Sequence, residues 1–190
     1  MPASPELAFE TPLVRARLLC EDDLDLYLAL YTDPEVMRHI GPVLGREEVE
    51  AVFRLSLGHN RRQGVRALYW RVFDRTSGIS IGLASLVRDA TNGVSAEVGL
   101  MLPPDRRKAG IGQQCLSAMI GGCFSGAWAH GVSEVSARHR ESNLAARRLV
   151  ESLDFMPADC STDGVVSWRL CRDAWDSGRC GRMWSSWHSG

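Results

Sequence analysis

The sequence holds six cysteines, Cys20, Cys115, Cys123, Cys160, Cys171 and Cys180, yet it has no C-x-x-C pair and no histidine at zinc-finger spacing. That lack argues against a structural metal. Cys115 and Cys123 do not suit a disulfide, because eight positions along one predicted helix hold them about 12 Å apart. An excess of either charge is also missing: 22 Lys+Arg stand against 23 Asp+Glu. No bulk field therefore draws the chain to nucleic acid or to an anionic membrane, and any anion site must be local. The opening "MPASPELAFETP" has neither a basic n-region nor an apolar run, and no segment reaches membrane-spanning length, so a reduced, cytoplasmic protein is expected. Internal repeats and an obvious linker are absent as well. At 190 residues and 45% hydrophobic composition the chain suits one buried core.

What is present reads as a mixed α+β domain over 1–176, followed by a tail, 177–190. "PLVRARLL" (Pro12 to Leu19) alternates as a first strand, and "EDDLDLYLALY" follows with acids at a helix start and Leu24, Tyr27, Leu28 and Tyr31 on one face. Asp33-Pro34 caps a short second helix through about His39, and Arg46 to Gln63 forms a third. "ALYWRVFD", "ISIGLASLV" and "SAEVGLML" are strands separated by "RTSG" and "RDATNG", connections short enough to force an antiparallel meander. A long helix with Ile111, Cys115, Ala118, Met119 and Gly122 on one face then runs to about His130-Gly131. "SEVSAR" is a strand, Ala146, Leu149, Val150 and Leu153 mark another helix, and "GVVSWRLC" closes the sheet. That makes six strands, or seven with one around Phe155 to Cys160. The tail shows no periodicity; it is read as a disordered extension or, through Trp184 and Trp187, as a docking one.

One stretch asks for chemistry: "PPDRRKAGIGQQC", 103–115, sets two glycines after two arginines and a lysine at a helix entrance. It is not a P-loop, which needs G-x-x-x-x-G-K-[ST]. Nor is it a dinucleotide fingerprint, since Cys115 stands at the third glycine position and four residues intervene after the strand. Two readings remain. One is a strain-relieving turn with solvated charges. The other is a pyrophosphate cradle, in which backbone N–H groups at a helix N-terminus face phosphate oxygens and nearby cations add charge.

The stretch Arg107-Lys108-Ala109-Gly110-Ile111-Gly112 resembles the R/Q-x-x-G-x-G/A coenzyme A signature of the GNAT (Gcn5-related N-acetyltransferase) family. The resemblance extends over Leu13 to Leu170. "LVRARLLCEDDLDLYLALYTDPEVMRHIG" looks like the first strand and helices of the RimJ/RimL-type branch, which acetylates N-terminal amines of ribosomal proteins. Glu97-Val98-Gly99-Leu100 looks like its acid-and-glycine strand, and Asn143 with Leu149, Glu151 and Phe155 like its N-x-x-S-x-x-L-x-E-x-x-G-F ending.

The resemblance implies a sheet with helices on both faces, splayed beside its fourth strand, with acyl-CoA in the V. It places Leu100, Met101 and Leu102 along the pantetheine and acyl carbonyl, exposed by a strand bulge near Gly99, and the amides of Lys108 to Gln113 on the pyrophosphate. It implies direct acetyl transfer from acetyl-CoA to a primary amine, on a protein N-terminus or a small molecule, without a metal. A homodimer is among the assemblies it allows. Glu97 is the candidate base, against the alternative of a salt-bridged strand carboxylate; Asn143 is a helix cap, a ligand contact, or both. The acceptor pocket falls on Thr32 to Leu44 and Cys160 to Ser167, where Asp33 and Glu35 either attract a cation or cap a helix. Val150 stands where many relatives carry a tyrosine acid, Ala146 where serine is common and Asp154 where glycine is. These departures motivate a second reading, a non-catalytic acyl-CoA-binding or interaction module. His39, His59, His130, His139 and His188 follow no spacing that nominates a base and are read as surface residues.

Overall fold

Alternation governs the first strand: Val14, Ala16 and Leu18 are buried, while the intervening arginines keep contact with solvent. The same rule builds a sheet with two different faces. The computed structural model describes residues 7–62, 66–107, 109–128, 130–158 and 164–187. In chain order these form β1 (Phe9–Glu10), β2 (Val14–Leu18), α1 (Leu24–Tyr31), α2 (Pro34–Met37) and α3 (Arg46–Asn60). The meander β3 (Ala67–Asp74), β4 (Ser80–Arg88) and β5 (Ser95–Met101) follows, then α4 (Ile111–Phe124) and β6 (Glu134–Arg140). The chain ends with α5 (Leu144–Glu151), β7 (Met156–Pro157), β8 (Val165–Cys171), α6 (Arg172–Ser177) and α7 (Arg179–Trp187).

All eight strands lie in one sheet, ordered β1-β2-β3-β4-β5-β6-β8-β7. The pair β5–β6 is parallel, joined by the α4 crossover, and every other pairing is antiparallel. β7 falls within the stretch expected to supply a seventh strand, and the count reaches eight through β1, whose two residues are too few to show a period. On one face Leu68, Trp70, Val72, Leu86, Ala96 and Val98 pack with the buried helix α4. On the other, Leu83 and Met101 join Tyr27, Leu30, Val49 and Phe53 of the first three helices. The helices therefore cover both faces. No helix among the described residues is long and apolar enough to cross a membrane.

Two expectations at α4 change. The helix stops at Phe124, not near His130, because Ser125 closes it and Gly126, at φ 80°, turns the chain away. The tail does not stay unstructured over 179–187 but forms α7, whose Trp184 packs on the core. Its seat is Gly121: a Cβ there would lie 2.3 Å from the Trp184 indole. Only a glycine lets the ring come that close to the helix.

On the outer part of the sheet, Arg17 and Arg71 face each other across β2 and β3, a repulsive pair by itself. Asp23 resolves it. Its fully buried carboxylate takes Arg17 through both oxygens at 2.7 and 2.9 Å, Arg71 at 2.7 Å and the Cys20 amide at 2.9 Å. Burial pushes this carboxyl up, but the two guanidinium hydrogen bonds and the amide outweigh it and hold it at about 2. Arg17 and Arg71 also stack on Phe73, each 5.4 Å from its centroid.

Because the Asp23 carboxyl lies below its ordinary value of 3.8, it stabilises the fold at every pH above that value. That contribution, about 2 kcal/mol, is lost as pH falls from 3.8 toward 2. Asp23→Asn should lower the denaturation free energy at pH 7 by about 2–3 kcal/mol and flatten its acid dependence in that window; urea titrations between pH 7 and pH 2 read both. Gly121→Ala should displace α7, seen as faster proteolysis of the last helix and altered near-ultraviolet dichroism. In a Trp184→Ala background the same substitution should have little further effect.

Candidate active site at the parting of the sheet

Strands β5 and β6 pair through only three residues, Ser95↔Glu134, Ala96↔Val135 and Glu97↔Ser136. Beyond them β5 stays on β4 as far as Met101, while β6 stays on β8 as far as Arg140, so the sheet opens into a V. The expected splay beside the fourth long strand is present; the expected bulge near Gly99 is not. From Ala96 to Met101 the register with β4 is unbroken, and the bulge falls instead between Val72 and Phe73 of β3. The V exposes β5 by withdrawing its partner.

Backbone direction follows from the ends of β5. The Ser95 carbonyl accepts from Asp89 at 2.9 Å on the β4 side, and the Val94 carbonyl accepts from Ser133 and Glu134 at 2.8 and 3.2 Å on the β6 side. Alternation then turns the N–H and C=O of Val98 and Leu100 toward the opening and those of Gly99 and Met101 toward β4. Leu100 thus has free backbone groups at the V. Met101 does not, and the Leu102 carbonyl accepts Arg107 Nε at 3.0 Å.

Gly110 stands at the helix entrance with φ 84°, a left-handed conformation, and α4 begins at Ile111. The Gln114 amide closes the first intrahelical bond to Gly110 at 2.9 Å, so the amides of Ile111, Gly112 and Gln113 precede the helical ladder and are available as donors. A Cβ on Gly112 would lie 3.1 Å from Leu149 and 3.7 Å from Leu100, so its absence leaves room where α4, α5 and β5 meet. Gln114 Oε1 accepts the Leu13 amide at 2.9 Å and ties the entrance to the start of β2. Of the cations, Arg106 pairs with Asp105 at 2.9 Å and Arg107 braces Leu102, while Lys108 lies outside the described residues. Ala109 is exposed beside them. A free-amide helix start, positive charge and missing side chains together suit a pyrophosphate.

On the other side of β5 a cavity of about 460 Å³ opens against α1 and the turn that follows α2. Its lining includes Glu97, Gly99, Leu100 and Met101 of β5, Ser85 of β4, Arg138, His139 and Arg140 of β6, and Asn143 and Ala146 at α5. It also takes in Tyr27, Tyr31 and Tyr69, all three tyrosines of the chain. Tyr27 and Tyr31 stack with centroids 5.3 Å apart, as one helical turn dictates. Burial pushes all three phenols up, so each remains an O–H donor at neutral pH. Asn60 clamps the Tyr69 backbone from both sides, at 2.8 and 2.9 Å.

Glu97 does line the cavity, and it carries an ion pair: its Oε2 meets Arg138 Nη2 at 2.8 Å, bridging the base of the V. Asn143 caps α5, its Oδ1 accepting the Ala146 amide at 3.1 Å, which leaves its NH₂ as a donor at the cavity edge. Val150 is buried and apolar, and no acid replaces the tyrosine there. The expected acceptor segments contribute His39, Ile40 and Val165, and residues 159–163 lie outside the described ones. Asp33 caps α2, accepting from Glu35 at 2.7 Å, and neither acid lines the cavity.

The histidines need correction. His139 is buried, its Nε2 accepting the Trp168 indole N–H at 2.9 Å and its Nδ1 meeting the Arg140 carbonyl at 2.8 Å. Since an indole only donates and a carbonyl only accepts, the ring is the neutral Nδ1–H tautomer with both nitrogens engaged. His39 and His59 are half-buried, and His39 Nδ1 meets Ser142 Oγ at 3.3 Å. What sequence reasoning missed is the tyrosine cluster and the arginines of β6. Their signal was local, Tyr27 and Tyr31 on one helical face and Arg138 and Arg140 on one strand face, but nothing in the chain order joined the two.

A family model described as an acetyltransferase (GNAT) domain matches residues 14–156. A comparison with curated proteins finds no significant match. Among solved structures, a GNAT-family acetyltransferase from Bacillus anthracis superposes with a TM-score of 0.72 at 14% identity, covering 88% of this chain and 99% of that one. RimL, a ribosomal alpha-N-protein acetyltransferase solved with coenzyme A, gives 0.70 at 16%, with 86% and 97% covered. Spermidine N-acetyltransferase from Vibrio cholerae, in complex with CoA and spermine, gives 0.64 at 17%, with 84% and 96% covered. At these identities the structures share the fold, and the family model carries the membership: this chain belongs to the acetyltransferase (GNAT) domain family.

Proposed function

We propose that this acetyltransferase moves an acetyl group from acetyl-CoA directly to a primary amine, on a protein N-terminus or a small molecule, in the manner of the RimJ/RimL-like branch. The observation that carries the reading is the V itself. Free backbone of Leu100 lies between a glycine-and-cation helix entrance at one end and a cavity holding Glu97 and Asn143 at the other. Acetyl-CoA, when bound, supplies a thioester whose carbonyl carbon is open to attack. Arg107, Lys108 and the amides from Ala109 to Gln113 hold its pyrophosphate, and Gly110 and Gly112 let it approach.

The chain's own groups do the rest. The Leu100 N–H, turned into the V, faces the position where negative charge develops and needs no reorganisation to do so. Glu97 takes the proton of the incoming ammonium, directly or through water, since a protonated amine has no lone pair to offer. As the C–N bond forms the C–S bond breaks, and solvent protonates the departing thiolate because Val150 carries no acid. Asn143 holds the far wall through its helix cap. The phenols exclude bulk water while remaining hydrogen-bond donors. Burial drives the Cys115 thiol to about 12 and Cys123 to about 11, and no cysteine lines the cavity among the described residues. Among the described residues an acyl-cysteine relay has no nucleophile at the cavity, which favours direct transfer.

Gly110→Glu places an anion in the cradle and an L side chain at a left-handed φ. It should weaken CoA binding at least about tenfold by calorimetry while costing about 1 kcal/mol of stability. Glu97→Gln should lower kcat about a hundredfold with KM for acetyl-CoA unchanged, read as the rate of CoA release at saturating acetyl-CoA. A wild type that binds acetyl-CoA yet releases no CoA with any amine of a broad panel would instead support the non-catalytic acyl-CoA-binding module.

A further inference from the structure

The charge on the acceptor cavity has a sign. Among its lining residues Glu97 is the acid, and Arg138 neutralises it at 2.8 Å. Arg140 lies two residues farther along the same face of β6, about 7 Å on. It is exposed, lines the same cavity and forms no ion pair among the described residues. The next acids on the helical side are committed elsewhere: Asp33 caps α2 and Glu35 pairs with Arg38. Glu141, beside Arg140 in sequence, lies past the end of β6, donates its amide to Gly164 at 2.8 Å and is not among the residues lining the cavity. Among the described lining residues, positive charges therefore exceed negative by one where an amine must bind.

A polyamine needs several carboxylates to hold its separate ammonium groups, and the described lining offers one, already paired. An amine that brings its own anion meets a complementary site. We propose, resting on the amine-acetylation reading above, that the acceptor is an amine bearing a carboxylate a few ångströms from its nitrogen, with Arg140 as the carboxylate's partner. The nitrogen then sits near Glu97 and the carboxylate on the Arg140 guanidinium, which is suited to bidentate contact. The remaining wall is apolar and aromatic: Tyr27, Tyr31 and Tyr69, with Ile40, Leu83 and Met101. It receives the acceptor's side chain. Two sources share this chemistry, a free apolar or aromatic α-amino acid and a peptide whose N-terminal residue is aspartate.

The test is CoA release by wild type and Arg140→Gln with matched acceptors: phenylalanine and phenylalaninamide, Asp-Ala-amide and Asn-Ala-amide, and spermidine. Comparing the two enzymes on each pair cancels differences in amine basicity. One carboxylate-bearing member should be favoured by wild type about tenfold in kcat/KM, and Arg140→Gln should erase most of that preference while leaving the neutral member and CoA affinity unchanged. Preference within the first pair identifies the free amino acid, and within the second the acidic N-terminus. Turnover of spermidine or the neutral amides at equal or higher kcat/KM overturns the inference alone, as does a preference that survives in Arg140→Gln. Binding of CoA without turnover of any acceptor overturns the acetyl-transfer reading, and the inference with it.

Discussion

Everything functional in this molecule depends on a pairing that stops after three residues. Had β5 and β6 continued side by side, the N–H and C=O of Val98 and Leu100 would be consumed in a ladder and the sheet would close. Each strand instead keeps its other neighbour, β5 on β4 and β6 on β8, so the parting leaves both arms supported. A buried ladder with open backbone would ordinarily be costly. Here the open groups line a V that a ligand or water can enter, and the cost falls where binding recovers it.

The two arms are held rigid by unlike means. Behind β5 lies an apolar layer in which α4 is almost wholly buried, so the helix that begins at Gly110 cannot shift relative to the strand. In front, α1 to α3 bring their own apolar cluster, and the tyrosines at its edge become the cavity wall. Farther out, Asp23 bridges two facing arginines, offsetting their repulsion, and fixes the turn that launches α1, the helix bearing Tyr27 and Tyr31. An electrostatic feature of the sheet edge thus sets the position of residues in the acceptor cavity.

The same strand carries structure on one face and chemistry on the other. Ala96, Val98 and Leu100 pack toward α4, while Glu97, Gly99 and Met101 turn to the cavity. On β6, Ala137 and His139 are buried while Arg138 and Arg140 reach the opening. A period of two therefore delivers an acid from one arm and cations from the other to a single space.

Much of this was legible in the chain. The strand meander, the helix entrance at Gly110, the cap at Asn143 and the location of Glu97 rest on interactions within a few residues, which local pattern encodes. The two-residue β1 was not, since it exists only because β2 is there to pair with, whereas β7 falls where a seventh strand was expected. Nor was α7: its seat is a glycine on α4, more than sixty residues away in sequence. His139 looked like a surface residue and is buried because Trp168, on the next strand, supplies a donor to its ring.

The sequence by itself determined the long strands and the helices from α1 to α5, the family signature and the candidate donor site, because alternation, helix-start chemistry and missing Cβ atoms act locally. Only the tertiary structure decided which backbone groups stay free, that three separated tyrosines share one cavity, and that Glu97 is matched by Arg138 while Arg140 forms no ion pair among the described residues. Those facts depend on distances between strands that the chain order does not contain, since Coulomb and hydrogen-bond energies follow separation in space and not along the backbone.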